Sequence, residues 1–235
     1  MTYRPVRRES VSGQVFAALR DAILSGELAP GDPLPAEREL AARFGVNRQA
    51  VREAVGRLAQ VRLVRVSQGG NTRVEDWRRT AGLDIAAQLA GSADRLAVAT
   101  LTRDMLEMRA AVGSDAARLC AERADEPARA TVRALAEDYA RIGADLDALA
   151  AANVELWRAI VLGSRNVAYL LSFNSLVAHA LAIAPVPPQQ RTAELLDVPG
   201  HLRLARLVEA GDAPGAYDQA GALLGRSITA LDGRS

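Results

Sequence analysis

The chain has 235 residues, 49% of them apolar and 4% aromatic, so it is long enough for two modest domains that each have a hydrophobic core. The formal net charge is +1, and the sequence contains neither an apolar run of membrane-spanning length nor the apolar segment of a signal peptide. We therefore expect a cytoplasmic protein that makes no membrane contact.

The charge is unevenly distributed along the chain. Residues 1–80 contain 14 arginines and 9 acidic residues, a net charge of +5, whereas residues 81–235 contain 15 arginines and 19 acidic residues, a net charge of −4. This distribution predicts a polyanion-binding module attached to a separate, mildly acidic body. The single cysteine, Cys120, excludes an internal disulfide, and we interpret it as a small core residue rather than a reactive thiol.

The N-terminal third predicts three helices. Residues 1–10 are typical of a flexible basic arm, and a first helix follows in "VSGQVFAALRDAILSG" before the loop "ELAPGDPLP". A short second helix, "AERELAARFG", ends at Gly45, and Asn47 caps a third helix whose apolar residues repeat at helical spacing. Two helices joined by so short a turn form the helix-turn-helix pattern.

A change of period after the third helix predicts a β-hairpin. The segment "RLVRV" alternates, "SQGGN" is a turn with Gly69 and Gly70 at its tip, and "TRV" resumes the alternation. Three helices followed by a hairpin form a winged helix-turn-helix, which we place at residues 11–76.

The remainder of the chain has no strand signal and predicts an all-α bundle. We expect a linker helix at 77–97 and an effector and dimerisation domain at 98–235, so that the fold class is mainly α. The helices are predicted at roughly 98–122, 126–150, 151–163, 166–184, 198–210 and 213–231.

Arg48 and Arg52 lie one turn apart at the start of the third helix, away from its apolar stripe and beside Asn47 and Gln49. That end of a recognition helix enters the major groove, where arginine pairs with guanine and glutamine or asparagine with adenine. Arg38, at the start of the second helix, is placed to meet a phosphate. Arginines that only solubilise a helix are the alternative, but the turn, cap, hairpin and charge asymmetry together favour DNA.

Nearly the whole of residues 14–74 resembles the GntR family of bacterial transcription regulators, through "LPAERELAARFGVNRQAVREAVGRL" and its flanking segments. The resemblance implies a homodimer on a pseudo-palindromic operator of double-stranded DNA. Two departures from the family pattern are Asn47, where serine or threonine is usual, and Val61-Arg62, where glycine is usual. The DNA-contacting positions implied by the resemblance are Arg38, Asn47, Arg48, Gln49, Ala50, Arg52, Gln68 and Gly69.

The second domain resembles the FadR/FCD subfamily, through "LTRDMLEMRAAVGSDAARLCAER", "NVELWRAIVLGSRNVAYLL" and "GHLRLARLVEAGDAPGAYDQAGALL". Many members bind a divalent metal through an aspartate, a histidine four residues later and two further histidines. Here Asn153, Trp157 and His201 stand at the first three positions, and Leu223 or Leu224 at the last. We therefore predict no metal and no other cofactor.

In lacking the metal ligands and in its linker "VEDWRRTAGLDIAAQLA", the chain resembles the fatty-acid-responsive FadR regulators. This resemblance implies an acyl-CoA or another organic acid as effector. Arg109 points toward an apolar helix face, where an arginine is costly unless it meets an anion. It is either an anchor for that effector or half of a buried ion pair with Asp104, Glu107 or an acid elsewhere.

Three other residues of this domain are candidates for the effector cavity, and two of them, Trp157 and His201, also have a purely structural interpretation. Asn153 and Trp157 share a helix face and would line the same cavity, or Trp157 fills the space that a metal would have held. His201 is either a retained pocket residue or a satisfied core histidine.

These patterns together predict a homodimeric, ligand-responsive transcription regulator, with repression as the favoured output and activation as the alternative. The alternative is a DNA-binding regulator whose helical domain only dimerises and senses no ligand. An enzyme is not expected, because the sequence has no nucleophile–base set, no phosphate-binding loop and no metal cluster.

Overall fold

The computed structural model describes residues 10–67, 71–86, 89, 95–182 and 191–232, and it divides into two compact units, Met1–Val98 and Ala99–Ser235. None of the described helices combines the length and the apolar character needed to cross a bilayer. The elements are α1 Val11–Ser25, α2 Glu37–Phe44, α3 Arg48–Gln60, β1 Val64–Arg65, β2 Arg73–Val74, α4 Trp77–Thr80, α5 Arg95–Arg123, α6 Glu126–Arg141, α7 Leu146–Gly163, α8 Val167–Ala182, α9 Thr192–Leu195, α10 Val198–Glu209 and α11 Ala213–Asp232.

The first unit begins with three helices in which α1 and α2 pack against α3. Gly45 ends α2 in the left-handed conformation, at φ 66°, which residues with a side chain rarely adopt. Asn47 then starts α3, since its Oδ1 accepts a hydrogen bond from the Ala50 backbone N–H at 2.8 Å. The glycine and the cap make the turn between the two helices short, as the sequence predicts.

The hairpin follows α3 and closes the core of this unit. β1 and β2 are antiparallel, and the paired residues Val64 and Val74 both bury their side chains. The mainly α fold class, with a winged helix-turn-helix followed by a helical domain, is confirmed. Gln68 and Gly69 at the hairpin tip lie outside the described residues, as do residues 1–9 of the predicted arm.

Arg62 explains how the chain passes from α3 into β1 without the glycine of the family pattern. Its φ is 57°, so an arginine occupies the left-handed position that glycine usually fills. The Arg62 Nη1 donates to the Thr80 carbonyl oxygen at 3.1 Å. The chain therefore passes into β1 through a left-handed arginine, at the cost of local backbone strain.

The second unit is a helical bundle in which α10 packs on α6 and α11, and α7 packs on α6 and α8. Its main core contains Cys120, whose thiol is fully buried and whose pKa is raised to about 11 by that burial. This placement matches the interpretation of Cys120 as a core residue, because a buried thiol that stays protonated is a poor nucleophile.

Three helix boundaries differ from the sequence-based expectation. The predicted helix 126–150 ends at Arg141, because Gly143 takes a φ of 81° and Asp145 caps a new helix, α7. The short helix α9 was not predicted at all. The predicted linker helix is interrupted, since α4 ends at Thr80 and Ala81 is extended before a 3-10 turn at Leu83–Ile85.

The left-handed backbone at Arg62 predicts that glycine is better than alanine at this position. Both Arg62→Gly and Arg62→Ala remove the bond to Thr80, so their difference isolates the backbone strain. We expect Arg62→Gly to be more stable than Arg62→Ala by about 1 kcal/mol in urea unfolding of the full chain.

A matched pair at Glu53, an exposed position within α3, is the control. There the order reverses, and Glu53→Gly is less stable than Glu53→Ala by about 1 kcal/mol. The same order of glycine and alanine at both positions would contradict strain at Arg62.

Candidate functional sites

The N-terminal end of α3 exposes the side chains that a recognition helix requires. Asn47, Arg48, Gln49 and Arg52 are all exposed. Arg48 has no ion-pair partner among the described residues, which leaves all its donors available. Arg52 is 63% exposed and contacts Glu37 through two long hydrogen bonds of 3.4 Å. Such an exposed pair is weak, so a phosphate or guanine can replace Glu37 at little cost.

The structure limits how Asn47 and Ala50, two of the DNA-contacting positions implied by the resemblance, can contact DNA. The Oδ1 of Asn47 accepts the capping bond of α3, while its Nδ2 donors take no part in the cap. A bidentate contact with adenine would require Oδ1 to serve the cap and the base at the same time. Ala50 is buried, with 8% exposure, in contrast to its four exposed neighbours.

Arg38 lies exposed in the first turn of α2, where no side chain caps the helix. The amide groups of this first turn and the Arg38 guanidinium together suit a phosphate oxygen. Next to the hairpin, Arg65 pairs with Glu75 at 2.8 Å and the Arg73 Nη1 donates to the Gly31 carbonyl oxygen at 2.8 Å. These two arginines are therefore held in place beside the wing.

A second candidate site is a cluster of polar side chains buried inside the helical bundle. Five helices or their caps contribute to it: α5, α7, α9, α10 and α11. The members are Arg109, Asn153, Arg191, Glu194, His201 and Ser227. Three of them, Arg109, Asn153 and His201, are among the residues that the sequence singles out. We refer to these six residues as the buried polar cluster.

Glu194 lies at the centre of this cluster and is fully buried. Arg109 holds it with two hydrogen bonds, from Nη1 to Oε2 at 2.8 Å and from Nη2 to Oε1 at 2.5 Å. Ser227 donates to Oε2 at 2.5 Å and Arg191 to Oε1 at 2.9 Å. The partner of Arg109 is therefore an acid 85 residues away, and neither Asp104 nor Glu107.

Arg191 joins Glu194 to the position of the first family metal ligand. Its Nη2 donates to the Asn153 Oδ1 at 2.7 Å as well as to Glu194. Its side chain is 15% exposed, while its Nε is buried and has no partner among the described residues. Of the three guanidinium nitrogens of Arg191, only Nη2 forms hydrogen bonds with described residues.

Asn153 connects the arginines to His201. Its Nδ2 is 3.0 Å from the His201 Nε2, and the His201 Nδ1 is 2.9 Å from the Asp197 carbonyl oxygen. Since a carbonyl only accepts, the proton of the neutral imidazole lies on Nδ1, and Nε2 accepts from the amide. His201 also stacks on Tyr139, with the ring centroids 4.5 Å apart. His201 is therefore a satisfied core histidine that borders the cluster.

Burial and charge act in opposite directions on the titrating groups of the cluster. Burial by itself raises the pKa of Glu194, but the two guanidiniums overcome this and hold that pKa well below its usual range. Burial lowers the pKa of the Arg191 guanidinium, and repulsion by Arg109 lowers it further. Burial also lowers the pKa of His201, against the opposing effect of its bond to the Asp197 carbonyl.

The remaining metal-ligand positions that the resemblance implies, Trp157 and either Leu223 or Leu224, are apolar and belong to the main core. Trp157 and Leu224 are 4% and 1% exposed and both lie against Gly113 of α5. A Cβ on Gly113 would be 2.5 Å from Leu224 Cδ1 and 3.5 Å from Trp157 Cζ3, so the glycine is what lets the helices approach. Trp157 therefore fills the space beside the polar cluster with an indole ring.

The residues present do not fit a metal ion. The lone pair of the His201 Nε2 is occupied by Asn153, and the other positions supply an amide, an indole and a leucine. Within the described ranges, no group of three or more histidine, cysteine, aspartate or glutamate side chains is arranged to hold a metal. The cluster instead contains cations of its own, the two guanidiniums.

Sequence reasoning missed Arg191, Glu194 and Ser227. Arg191 and Glu194 lie in "PQQRTAELL", a segment with no apolar period to indicate which side chains turn inward. A signal existed only indirectly, because an arginine on an apolar face requires an acid somewhere in the chain.

Comparison with known proteins agrees with both halves of this description. Residues 11–74 match the family described as "Bacterial regulatory proteins, gntR family", and residues 104–226 match the FCD domain. The HTH-type transcriptional regulator Mce2R of Mycobacterium tuberculosis (strain CDC 1551 / Oshkosh) is 33% identical over 233 residues, which cover 98% of this chain and 95% of that protein.

Two further relatives have more specific names. A fatty acid metabolism regulator protein of Enterobacter sp. (strain 638) is 30% identical over 174 residues, or 73% of this chain and 70% of that protein. The HTH-type transcriptional repressor NanR of Cronobacter sakazakii (strain ATCC BAA-894) is 32% identical over 196 residues, or 83% of this chain and 73% of that protein.

Solved structures show the same fold at low sequence identity. Lar, which controls the expression of the Listeria monocytogenes agr system, has a TM-score of 0.54 and 16% identity over 98% of this chain and 100% of its own. Streptococcus agalactiae GntR has a TM-score of 0.50 and 23% identity over 93% of this chain and 99% of its own.

The winged helix-turn-helix and these relatives define a DNA-binding transcriptional regulator, and the relatives are regulators, not enzymes. More narrowly, the chain belongs to the gntR family of bacterial regulatory proteins and carries an FCD domain.

The lowered pKa of His201 predicts a pH dependence of the stability of the helical domain. The unfolded chain takes up a proton near pH 6.5, whereas the folded domain keeps His201 neutral to lower pH. Stability is therefore fully present above pH 6.5 and falls below it, by up to about 1.4 kcal/mol per pH unit. Calorimetric unfolding between pH 5.5 and 7.5 measures this slope, and His201→Gln is expected to flatten it. Equal slopes in the two proteins would contradict a neutral, buried His201.

The chemistry of the cluster also predicts that the purified protein carries no stoichiometric metal. The measurement is elemental analysis of the full chain purified without chelators. About one zinc or manganese per chain would contradict the prediction, because such ions bind tightly only to complete ligand sets.

Proposed function

We propose that this regulator acts in the cytoplasm as a homodimeric repressor, binds a pseudo-palindromic operator, and responds to a small anionic metabolite such as an acyl-CoA or an organic acid. The observation that supports operator reading most directly is the exposed N-terminal end of α3, with Arg48, Gln49 and Arg52 accessible together. An operator with two half-sites about one helical turn apart suits a dimer that presents two such helices.

The polar cluster supports the proposal of an anionic effector. Two guanidiniums and one carboxylate leave a net charge of +1 inside the helical domain, next to Asn153 and His201. A buried charge of that kind is costly unless an anion compensates it. Binding there would favour one arrangement of the dimer over another and so change its fit to the operator.

Repression is proposed from the relatives. One of them, the Cronobacter sakazakii protein, is named a transcriptional repressor, and another, from Enterobacter, a fatty acid metabolism regulator. The first supports the sign of the response, and the second supports an acyl compound as effector.

A second candidate function is a regulator whose helical domain only dimerises. It is favoured by the bond pair between Arg109 and Glu194, which leaves Arg109 partly satisfied without a ligand, and by Trp157, which is packed into the core. A thermal-shift screen with acyl-CoAs and organic acids separates the two candidates. A ligand-induced change in melting temperature supports sensing, and no response to any compound supports dimerisation alone.

Operator binding is tested with the recognition arginines. A duplex selected from a random pool by the wild-type protein serves as the operator. Arg48→Ala and Arg52→Ala should each weaken binding by about 1–3 kcal/mol, since each loses a base-edge contact. The measurement is fluorescence anisotropy at one fixed salt concentration, because phosphate contacts make affinity salt-dependent.

Arg43→Ala is the matched control. This arginine is on α2, is 64% exposed and pairs with Glu39, so the variant has the same loss of charge without a predicted base contact. Its affinity should stay close to that of the wild type. Unchanged affinity in both Arg48→Ala and Arg52→Ala would rule out α3 as the recognition helix.

A further inference from the structure

The positive charge of the buried polar cluster is not fully compensated by negative charge. Arg109 and Arg191 supply two positive charges, and Glu194 supplies one negative charge. His201 is neutral, since its Nε2 accepts a hydrogen bond. The nearby Asp197 does not compensate the excess, because its carboxylate pairs with Arg226 at 2.8 Å and accepts the Gly200 N–H. One partly buried positive charge therefore lacks a counterion among the described residues.

Arg191 has one buried donor without a partner among the described residues, and the indole N–H of Trp157 is another in this domain. The two hydrogen bonds that Arg191 makes with described residues both use the same nitrogen, Nη2. Its Nε is buried with no partner among the described residues, in a side chain that is only 15% exposed. Buried donors without a partner are rare in folded proteins and cost free energy comparable to a lost hydrogen bond. A ligand acceptor at this nitrogen would remove that cost.

Arg191 also lies beside the polar positions of the metal-ligand set that the resemblance implies. Its guanidinium contacts Asn153, at the first ligand position, and Asn153 contacts His201, at the third. A positive charge therefore lies at the polar end of the former ligand set, while Trp157 and Leu224 fill the apolar end. A guanidinium forms two parallel hydrogen bonds with a planar carboxylate, which suits it to this acceptor.

We propose that Arg191 anchors the carboxylate of a monoanionic organic acid, with its guanidinium taking the part that a metal cation plays in other members. This inference rests on the proposed function and narrows the effector to a free acid. A single missing negative charge matches one carboxylate. The several phosphate charges of coenzyme A would exceed it.

Glu194 has a defined part in this arrangement. It is the built-in carboxylate that shares Arg109 and Arg191, and it keeps the two guanidiniums together when no effector is bound. The same negative charge repels an incoming carboxylate, so it limits the affinity of the site. Glu194 is therefore a positioning residue whose removal should strengthen binding of an acid.

The test is isothermal titration calorimetry of the full chain with acetate, hexanoate and benzoate, in a buffer that contains a chelator. Hexanamide is the matched neutral ligand. The expected result is binding of at least one acid in the chelator, and no binding of the amide. Failure of every acid at millimolar concentration with both the wild type and Glu194→Gln would overturn the proposal.

Three variants separate an anchor from a structural arginine. Arg191→Gln should weaken binding of the acid by about 10- to 100-fold, the loss expected for a charge-assisted hydrogen bond. Glu194→Gln should tighten it by about tenfold, because a like charge beside the ligand is removed. Arg141→Gln is the control, since this arginine is 69% exposed and pairs with Asp138 on its own helix.

Glu194→Gln keeps the experiment decisive if Arg191→Gln fails to fold. A merely structural Glu194 would give a destabilised protein whose melting temperature does not respond to the acid. An anchor site would give one that the acid restabilises. No restabilisation and no tighter binding in a folded Glu194→Gln variant would count against the proposal.

The operator assay distinguishes this inference from the proposed function. An acid that binds as expected but leaves operator affinity unchanged would support the site and refute its role as a sensor. A change in operator affinity caused only by decanoyl-CoA, with no free acid bound, would support the sensor and refute the carboxylate anchor.

Discussion

The helical domain depends on a fully buried carboxylate, Glu194, held by Arg109, Arg191 and Ser227. An isolated carboxylate at that depth would be several kcal/mol unfavourable, so these partners are a condition of folding as well as a possible site. They come from α5, the start of α9 and α11, and their bonds fix how these elements meet. The neighbouring amide of Asn153 extends the same network to His201 on α10.

Arg109, Asn153 and His201, which the sequence analysis treats separately, belong to one continuous network of hydrogen bonds. Arg109 forms the ion pair that is the second of its two interpretations, and the acid is Glu194. His201 is satisfied through the Asp197 carbonyl and Asn153, and its stacking on Tyr139 places it at the edge of the network. The proposed effector anion and the stability of the domain would therefore both depend on the same positive charge.

The DNA-binding half could be predicted from the sequence in detail, and the effector half only in outline. The turn between α2 and α3 is specified by adjacent residues, a left-handed glycine at Gly45 and a capping Asn47, so local chemistry is sufficient. The partner of Arg109 lies 85 residues away in the sequence, and no hydrophobic periodicity predicts a contact over that distance. The break between α6 and α7 was missed for a related reason: alanine- and leucine-rich spacing continues across Gly143, although the backbone there is left-handed.

The shortness of α9 has a consequence for dynamics. A helix of four residues, Thr192–Leu195, is not stable by itself. The free energy needed to nucleate a helix exceeds the free energy gained from the hydrogen bonds of a single turn. The order of α9 must come from its contacts with the rest of the domain: the ion pairs of Glu194, the burial of Leu195, and the hydrogen bond that Tyr139 donates to the Leu195 carbonyl oxygen. Local opening of this segment and the charge balance of the domain are therefore thermodynamically linked. Amide hydrogen exchange at α9 is therefore the local measurement that reports on this charge balance.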